Sequence, residues 1–376
     1  MRHNAPLTPF TRGIVLALAL LRFAAAQDSQ GESSRVMREF EQARAPRVWK
    51  FPRDHGKHEA FQTEWWYYTG NLRDEKGRRY GYQLTFFRNA LAVASPARAS
   101  QWAFRDAYVA HFTLTDVERQ SFFYDQRMAR GALELAGAAN DSLAVQVGAW
   151  SARAENDTLR LRAQSELGSI ALALRPRREL VLHGERGLVR KGEKEGEASY
   201  YYSWPFLQTS GQLRVGADSI NVEGVSWMDH EFFSSPAESE VAGWDWFSIH
   251  LADSCAIMLY QLRHAEGSLS KFSSGTLMSP RKSMTISFEA KPREWWQSGK
   301  TGARYPIEWD LKVADYALRV NVALREQELD TRMSTGVIYW EGYIAVSGTK
   351  GTQPITGMGY LEMTGYAVPV AINAGR

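Results

Sequence analysis

Hydrophobic and polar residues alternate with a period of two in short runs along most of this chain. The run from Tyr80 to Arg88 divides its side chains between two faces, Tyr82, Leu84 and Phe86 on one and Gln83, Thr85 and Phe87 on the other. Turn-forming Gly, Asn and Asp residues separate such runs, and helical periodicity is almost absent beyond the apolar N-terminal segment. The pattern predicts an all-β fold, an antiparallel sandwich or barrel, and aromatic residues on both faces favour barrels.

A weak internal repeat indicates two such domains. The segment WWYYTGNLRD at 65–74 can be aligned with WDWFSIHLAD at 244–253, and in each case a second strand follows and ends in arginine, at Arg88 or Arg263. Duplication would give two similar barrels in tandem, and a length of 376 residues also suggests two domains. We therefore expect a linker and two domains, at 27–47, 48–225 and 226–376.

The N-terminal residues have the features of a signal peptide. Arg2 and Arg12 precede an apolar run at 14–21, and three alanines at 24–26 provide a small-residue cleavage site. The apolar run is too short to span a bilayer comfortably. We expect residues 1–26 to be removed on export, which would place the mature protein in the periplasm or outside the cell.

Composition narrows the range of functions. The net charge is only +3 and the basic residues are scattered, so the electrostatic footprint of a nucleic-acid-binding protein is missing. The single cysteine, Cys255, excludes an intramolecular disulfide and the zinc sites that need several cysteines. The outlier is the aromatic content, with 13 Trp, 16 Tyr and 17 Phe, which favours sheets and aromatic-lined cavities.

The densest chemistry lies in GVSWMDHEFF at 224–233, where Asp229, His230 and Glu231 are consecutive among aromatic residues. Unpaired charges are costly to bury, so a plain core strand seldom carries such a group. Two interpretations stay open. The segment brings acid–base groups to an apolar cavity, or it forms a buried network in which the carboxylates accept hydrogen bonds from backbone and tryptophan N–H groups. In a strand, Asp229 and Glu231 share a face with Trp227, whereas His230 points away.

Several long motifs are shared with one known family. They are FPRDHG at 51–56, EWWY at 64–67, YQLTFFR at 82–88, WMDHE at 227–231, GWDWF at 243–247 and YWEG at 339–342. Together they resemble the secreted lipocalin-like family of carotenoid 1,2-hydratase (hydroxyneurosporene synthase) and AttH-type proteins, over nearly the whole mature chain. The resemblance implies two lipocalin-like, calycin-like antiparallel β-barrel domains packed against each other.

The resemblance also carries functional expectations. The family includes hydratases of carotenoid end groups, proteins labelled secreted hydrolases, and relatives resembling fungal pericyclases. The aspartate of the hydratase motif maps to Asp229, and the aromatic stretch before it maps to Tyr200–Tyr202. This chain has tyrosines there in place of a histidine and a tryptophan, and Trp227 in place of a tyrosine. These departures count against carotenoid hydration itself and leave a hydrophobic polyene, isoprenoid or lipid as the expected ligand.

The chemistry expected from these residues is acid-catalysed hydration of a C=C bond by a lyase. A carboxyl that an apolar pocket keeps protonated is a suitable acid, and tryptophan and tyrosine faces stabilise the resulting carbocation. We expect Asp229, His230 and Glu231 to be catalytic, with His230 orienting Asp229 or relaying its proton. The expected ligand-binding residues are Tyr200, Tyr202, Trp227, Trp244, Trp246 and His111.

Other functions remain open, namely a non-catalytic carrier, a secreted hydrolase and a pericyclase-type isomerase. The sequence contains no Gly-x-Ser-x-Gly elbow, so serine hydrolysis has no motif support. His55 and His58 are interpreted as loop residues that form hydrogen bonds, and no metal or other cofactor is expected. The strand-end arginines of the repeat are expected to pair with carboxylates such as Glu64 or Asp245. Contact with membrane surfaces would be transient, and the oligomeric state stays open.

Overall fold

The computed structural model describes residues 39–93, 102–235, 237–238 and 240–370. The expected signal peptide at 1–26 and most of the expected linker at 27–47 lie outside these residues. Regular structure within them is almost entirely β-strand, apart from a 3₁₀ turn at Arg53–His55, which confirms the all-β prediction. Across the described ranges, no helix combines the length and the apolar character needed to cross a membrane.

The first sheet has thirteen antiparallel strands and curls into a barrel-like domain. Its order is β4-β3-β2-β1-β13-β12-β9-β8-β7-β6-β5, with β10 and β11 pairing with β12. The bounds are β1 (Thr63–Asp74), β2 (Arg79–Ala90), β3 (Asp106–Asp116), β4 (Ser121–Arg130), β5 (Ala136–Ala138), β6 (Ala144–Val147), β7 (Trp150–Glu155), β8 (Thr158–Gln164), β9 (Gly168–Pro176), β10 (Val181–Leu182), β11 (Leu188–Arg190), β12 (Ala198–Val215) and β13 (Asp218–Ser235).

The second sheet has ten antiparallel strands and forms the second barrel-like domain. Its order is β17-β16-β15-β14-β23-β22-β20-β19-β18, with β21 pairing with β22. The bounds are β14 (Val241–Leu251), β15 (Ala256–His264), β16 (Ser274–Met278), β17 (Ser283–Ile286), β18 (Phe288–Gln297), β19 (Arg304–Val313), β20 (Tyr316–Val322), β21 (Glu328–Thr331), β22 (Val337–Lys350) and β23 (Gln353–Thr364).

The change from one sheet to the other comes between Ser235 and Val241. The expected boundary between 225 and 226 falls inside β13 and is therefore too early. Strand β13 is paired with β1 from Val222 to Phe233, so the whole central motif belongs to the first sheet. Its pairing with β1 lasts to the end of the motif at Phe233 and its pairing with β12 reaches Ser235, and the chain leaves the sheet where this pairing ends.

The aligned segments of the internal repeat occupy equivalent places in the two sheets. Strands β1 and β14 each lie inside their sheet and form a hairpin with the next strand, β2 or β15. The strand-end arginines pair as expected. Arg88 Nε lies 3.1 Å from Glu64 Oε2, and Arg263 Nε lies 3.0 Å from Asp245 Oδ2. Each pair ties two neighbouring strands together, which gives these arginines a structural role.

Alternation within the strands explains why both faces are aromatic. In β1, Trp66 and Tyr68 belong to the core of the first barrel. Their neighbour Tyr67 points the other way, into a separate buried cluster that also contains Trp246 and Tyr260 of the second sheet. One face of each central strand therefore fills its own barrel, and the opposite face packs against the other barrel.

The charged segment at 184–196, which the sequence suggests is an exposed loop, is partly buried. Leu188 and Val189 pair with β12 as strand β11 and are only 3% and 4% exposed. Lys191 follows directly and is also buried. The glycines of this segment give no indication of the short strand β11, and Lys191 just after that strand pairs with Glu231 of the central motif.

Candidate functional site between the two barrels

A cavity of about 310 Å³ lies where the outer faces of the two barrels meet. The first sheet lines it with Trp65, Tyr67, Phe87, His111, Tyr201, Asp229, Glu231 and Phe233, and the second with Trp244, Trp246, Tyr260, Leu262, Tyr339 and Glu362. Aromatic side chains make up a large part of this wall, and three carboxyl groups and the Lys191 ammonium are set into it. A concave apolar site with few polar groups is the usual form of a small-molecule pocket. The cavity is thus located between the domains and is formed by side chains from both.

Asp229 lies in the wall of this cavity and accepts hydrogen bonds from residues on its own strand and on β12. The Trp227 indole Nε1 donates to Asp229 Oδ1 over 2.5 Å. The Ser203 hydroxyl donates to the same oxygen, and the Tyr201 hydroxyl donates to Oδ2. Strand pairing sets this arrangement, because Ser203 is directly opposite Asp229 and Tyr201 is opposite Glu231. The carboxyl group is therefore held in a fixed orientation.

Burial raises the pKa of Asp229 from its usual value to about 7. The loss of hydration is the largest cause, and the neighbouring charge of Glu231 adds to it. The hydrogen bonds from Ser203, Tyr201 and Trp227 act in the opposite direction, since they stabilise the carboxylate. A carboxyl with this pKa is partly protonated at neutral pH, and it can either donate or accept a proton.

Glu231 shares the cavity-facing side of β13 with Asp229, as period two predicts, but it is paired with a cation. The Lys191 ammonium forms an ion pair with Glu231 Oε1, and both side chains are largely buried. Lys191 Nζ also lies 5.4 Å from the centre of the Tyr260 ring. Glu231 is therefore best described as the anionic half of a buried ion pair. Lys191 is not among the expected site residues, because the charged, glycine-rich segment around it suggests an exposed loop.

His230 points away from Asp229, so the expected orienting or relaying contact between them does not exist. Its Nε2 lies 2.8 Å from Glu64 Oε1, and its Nδ1 lies 2.9 Å from the Tyr202 hydroxyl. The indole of Trp66 stacks on its ring. All of these partners are inside the first barrel. Asp229 is instead oriented by Ser203, Tyr201 and Trp227. His230 does not contact it, because neighbouring side chains alternate between the two faces of β13.

The same alternation means that the two tyrosines expected to bind ligand, Tyr200 and Tyr202, do not face the cavity. Tyr200 packs against Phe61 and Phe232 on the other face of β12, and its hydroxyl donates to a backbone oxygen. Tyr202 is buried with His230. Neither lines the cavity, whereas Tyr201 does and contacts the acid directly. A period-two count separates Tyr201 from Tyr200 and Tyr202, but only the register of β12 against β13 shows which of the two faces meets the cavity.

The other expected ligand-binding residues are at the cavity or directly behind its wall. Trp244, Trp246 and His111 line it. Trp227 lies behind Asp229, with its ring centre 6.3 Å from that of Trp246. Burial lowers the pKa of His111 to about 3, and its Nδ1 lies 2.8 Å from the Tyr339 hydroxyl. His111 is thus a neutral hydrogen-bonding residue in the wall.

Two carboxyl groups of the second barrel also belong to the site, and sequence analysis selected neither. Glu362 lines the cavity and accepts a 2.6 Å hydrogen bond from Trp244 Nε1. Burial raises its pKa to about 7. Glu341 is directly opposite Glu362 in the pairing of β22 with β23, and burial raises its pKa well above the usual range. Glu341 lies within the YWEG motif, but only the strand register shows that it faces Glu362.

Ser203 and His183 form a contact that resembles part of a hydrolase triad. His183 Nε2 lies 2.6 Å from Ser203 Oγ, and its Nδ1 lies 2.8 Å from the Thr276 hydroxyl. Ser203 is fully buried, however, and does not line the cavity. Its hydroxyl donates to Asp229. Ser203 is placed to orient the acid and has no access to a substrate as a nucleophile.

A separate set of possible metal ligands lies inside the first barrel. Within the described part of the chain, His58, Glu64 and His230 bring three ligand atoms to within 4.8 Å of one another. We call these three residues the histidine network. Both histidines lie within hydrogen-bond distance of Glu64 Oε1, and the Arg88 guanidinium binds the same carboxylate. A cation would have to compete with this arginine, so the donor set fits a structural network better than a metal centre.

Comparison with known proteins agrees with this architecture. A profile described as AttH-like matches residues 42–366. A solved AttH-assigned protein from Nitrosomonas europaea is 34% identical, with a TM-score of 0.77, and the match covers 86% of this chain and 99% of that one. No curated protein sequence matches significantly.

Two more distant solved structures share the fold. Kievitone hydratase from Nectria haematococca is 16% identical, with a TM-score of 0.65 and coverage of 88% of this chain and 97% of that one. CghA, solved with Sch210972, is 9% identical, with a TM-score of 0.50 and coverage of 83% and 89%.

Proposed function

The chain belongs to the AttH-like family, and from this premise and the cavity between its barrels we propose that it is a hydratase-type lyase. It adds water across a C=C bond of a hydrophobic isoprenoid-like or lipid ligand, using its own side chains as acid and base. The proposal rests mainly on one observation. Asp229, whose pKa is raised to about 7, lies in the wall of an aromatic cavity that both barrels enclose.

The chemistry follows from this placement. A protonated Asp229 donates its proton to one alkene carbon, and a carbocation forms at the more substituted carbon. The indole and phenol faces of Trp246 and Tyr67 lie in the same wall and can stabilise such a cation by about 1–2 kcal/mol each when water is excluded. Water then adds to the cation. A carrier would need the apolar wall, but it would not need a carboxyl group whose pKa lies near neutral pH.

The distant structures support this assignment as analogy. The Nectria haematococca structure is named a hydratase and shares the fold over most of this chain. CghA shows the same fold together with an organic molecule, Sch210972. Fold sharing at these identities does not carry an activity with it, so the substrate must be found directly.

The test has two stages. Native mass spectrometry of the mature protein, after incubation with a lipid extract, identifies the bound compound. That compound is then incubated with enzyme in ¹⁸O-labelled water. We expect a hydrated product that carries the label and depends on Asp229. Asp229→Asn keeps the size and most hydrogen bonds of the side chain, and we expect it to lose turnover by roughly a hundredfold or more while still binding the ligand.

The control is Asp315→Asn, a matched change at an exposed aspartate in the turn between β19 and β20, which should leave turnover unchanged. Release of the ligand unchanged by the wild-type protein would favour a carrier. An isomer of the ligand without label would favour a pericyclase-type reaction. Cleavage of an ester would favour a hydrolase.

We also propose that the protein is exported. This rests on the basic start, apolar run and small-residue site within residues 1–26. N-terminal sequencing of protein recovered from the periplasm or the medium should begin at Gln27. Recovery of uncleaved protein from the cytoplasm would contradict export without affecting the proposed reaction.

A further inference from the structure

Resting on the proposed hydratase function, we propose that Glu362 is a second catalytic acid–base group facing the same cavity as Asp229. We also propose that Glu341 is a positioning residue that carries a proton and keeps Glu362 ready to accept another. Neither glutamate lies in the central motif. Both come from the second barrel, which would explain why the site needs two domains.

The first argument is the pairing of the two glutamates. Glu341 and Glu362 are directly opposite each other on antiparallel strands, so their side chains share a face. Two carboxylates in this position repel each other, and one of them must hold a proton when water is scarce. Glu341 Oε1 accepts a 2.6 Å hydrogen bond from the Tyr67 hydroxyl, and Glu341 is fully buried. Among the described residues its other oxygen, Oε2, receives no hydrogen bond from a separate donor, so it is the oxygen left to share a proton with Glu362.

The second argument is that the two acids are joined by a closed ring of neighbours. Tyr67 is directly opposite Asp229 in the first sheet, and its hydroxyl reaches Glu341 in the second. Glu362, opposite Glu341, is also opposite Trp246. The ring then returns to the first sheet, because Trp246 Nε1 donates over 3.0 Å to the Tyr201 hydroxyl, which donates to Asp229.

This ring includes one cavity-lining carboxyl from each barrel, and the Glu231–Lys191 ion pair of the first barrel lines the same cavity. Asp229 and Glu362 both line the cavity, whereas Glu341 lies behind it. Hydrogen bonds that cross between the barrels fix the two walls relative to each other. A molecule in the cavity would therefore meet an acid from one domain and a base from the other.

In the proposed hydration, one carboxyl group donates a proton and the other accepts one. Asp229 gives its proton to the alkene, so a C–H bond forms from the π electrons and the aspartate becomes anionic. The oxygen of a water molecule then forms the C–O bond to the cation, and the Glu362 carboxylate takes the proton that this water loses. The sum is the addition of one water molecule. A proton returns from Glu362 to Asp229 through solvent water and restores the starting state.

The first experiment does not depend on the substrate. Infrared difference spectra follow carboxyl protonation as the pH changes, and we expect two buried carboxyls to titrate near neutral pH. Glu362→Gln should remove one of these titrations and Asp229→Asn the other. Glu294→Gln, an exposed glutamate in the same sheet, should remove neither. Glu341→Leu takes away the proton donor and should raise the Glu362 midpoint, whereas Glu341→Gln should restore it. A Glu362→Gln protein that keeps both titrations would overturn the proposal.

The second experiment separates the two acids by their steps. The probe is an uncharged isoprenoid with a trisubstituted terminal alkene, in D₂O. We expect Glu362→Gln to lose hydrate formation by roughly a hundredfold while still exchanging deuterium into the recovered alkene, because Asp229 continues to protonate it. Asp229→Asn should lose both.

Equal hydrate formation by Glu362→Gln and wild type would overturn the role of Glu362. A wild-type protein that yields neither hydrate nor deuterium would instead contradict the proposed hydratase function, and the infrared titration still decides the carboxyl pair. Glu362→Asp, which keeps an acid at this position, serves if the glutamine variant fails to fold.

Discussion

The pH dependence of folding stability offers a test of Asp229 that requires no substrate. The pKa of this carboxyl is 3.8 in the absence of the fold and about 7 within it. The folded protein therefore holds the proton more tightly than the unfolded chain does. The contribution of Asp229 to stability is then largest at low pH, and it is lost as the pH rises from the unfolded value through about 7.

The size of the effect follows from the two pKa values. Linkage gives a loss of about 2.5 kcal/mol of unfolding free energy between pH 5 and pH 8 from this group alone. Asp229→Asn cannot ionise and should not show this loss. The asparagine changes the absolute stability by an unknown amount, but that amount is the same at both pH values. The difference between variant and wild type should therefore shift by about 2.5 kcal/mol in favour of the variant on going from pH 5 to pH 8.

Denaturant unfolding of both proteins at a series of pH values measures this difference. Asp315→Asn is the matched control, since that aspartate is exposed, and its curve should run parallel to that of wild type. If the curves of Asp229→Asn and wild type also run parallel, Asp229 is already ionised in the folded protein at pH 5. The proposed general acid would then be absent, and the central motif would be a buried network of carboxylates without catalytic chemistry.

Four further outcomes are expected, one for the pH profile of activity, two for variants and one for bound metal. In the proposed reaction Asp229 acts in its protonated form, so kcat/KM should fall about tenfold per pH unit above pH 7, and a flat alkaline limb would contradict this. Ser203→Ala removes a donor that stabilises the carboxylate, so the midpoint of that limb should move upward by roughly one pH unit, and a downward move would refute the assigned role of Ser203. Lys191→Met leaves Glu231 buried without its cation and should lower the unfolding free energy by about 3–5 kcal/mol, so a loss within experimental error in denaturant unfolding would show that the pair is unimportant. Elemental analysis of purified protein should find less than one metal ion per chain, because Arg88 already neutralises the histidine network; a stoichiometric, chelator-resistant ion would reverse that view.

Some of the site was within reach of the sequence. Alternation along the central motif correctly placed Trp227, Asp229 and Glu231 on one face and His230 on the other. It did so because side-chain direction in a strand depends only on local geometry. The arginines of the repeat pair with the predicted carboxylates for a similar reason. In each hairpin a short turn places the arginine's strand directly beside the strand that carries the carboxylate.

The remaining parts depended on which strands become neighbours. The choice of Tyr201 over Tyr200 and Tyr202 is made by the register of β12 against β13. The cavity and the Glu341–Glu362 pair depend on residues more than a hundred positions from the central motif, some in another barrel. By itself, the sequence determined most of the strands and the face of β13 on which Asp229 lies. Only the tertiary structure decided what that acid faces, because packing between two barrels brings together residues whose separation along the chain carries no local signal.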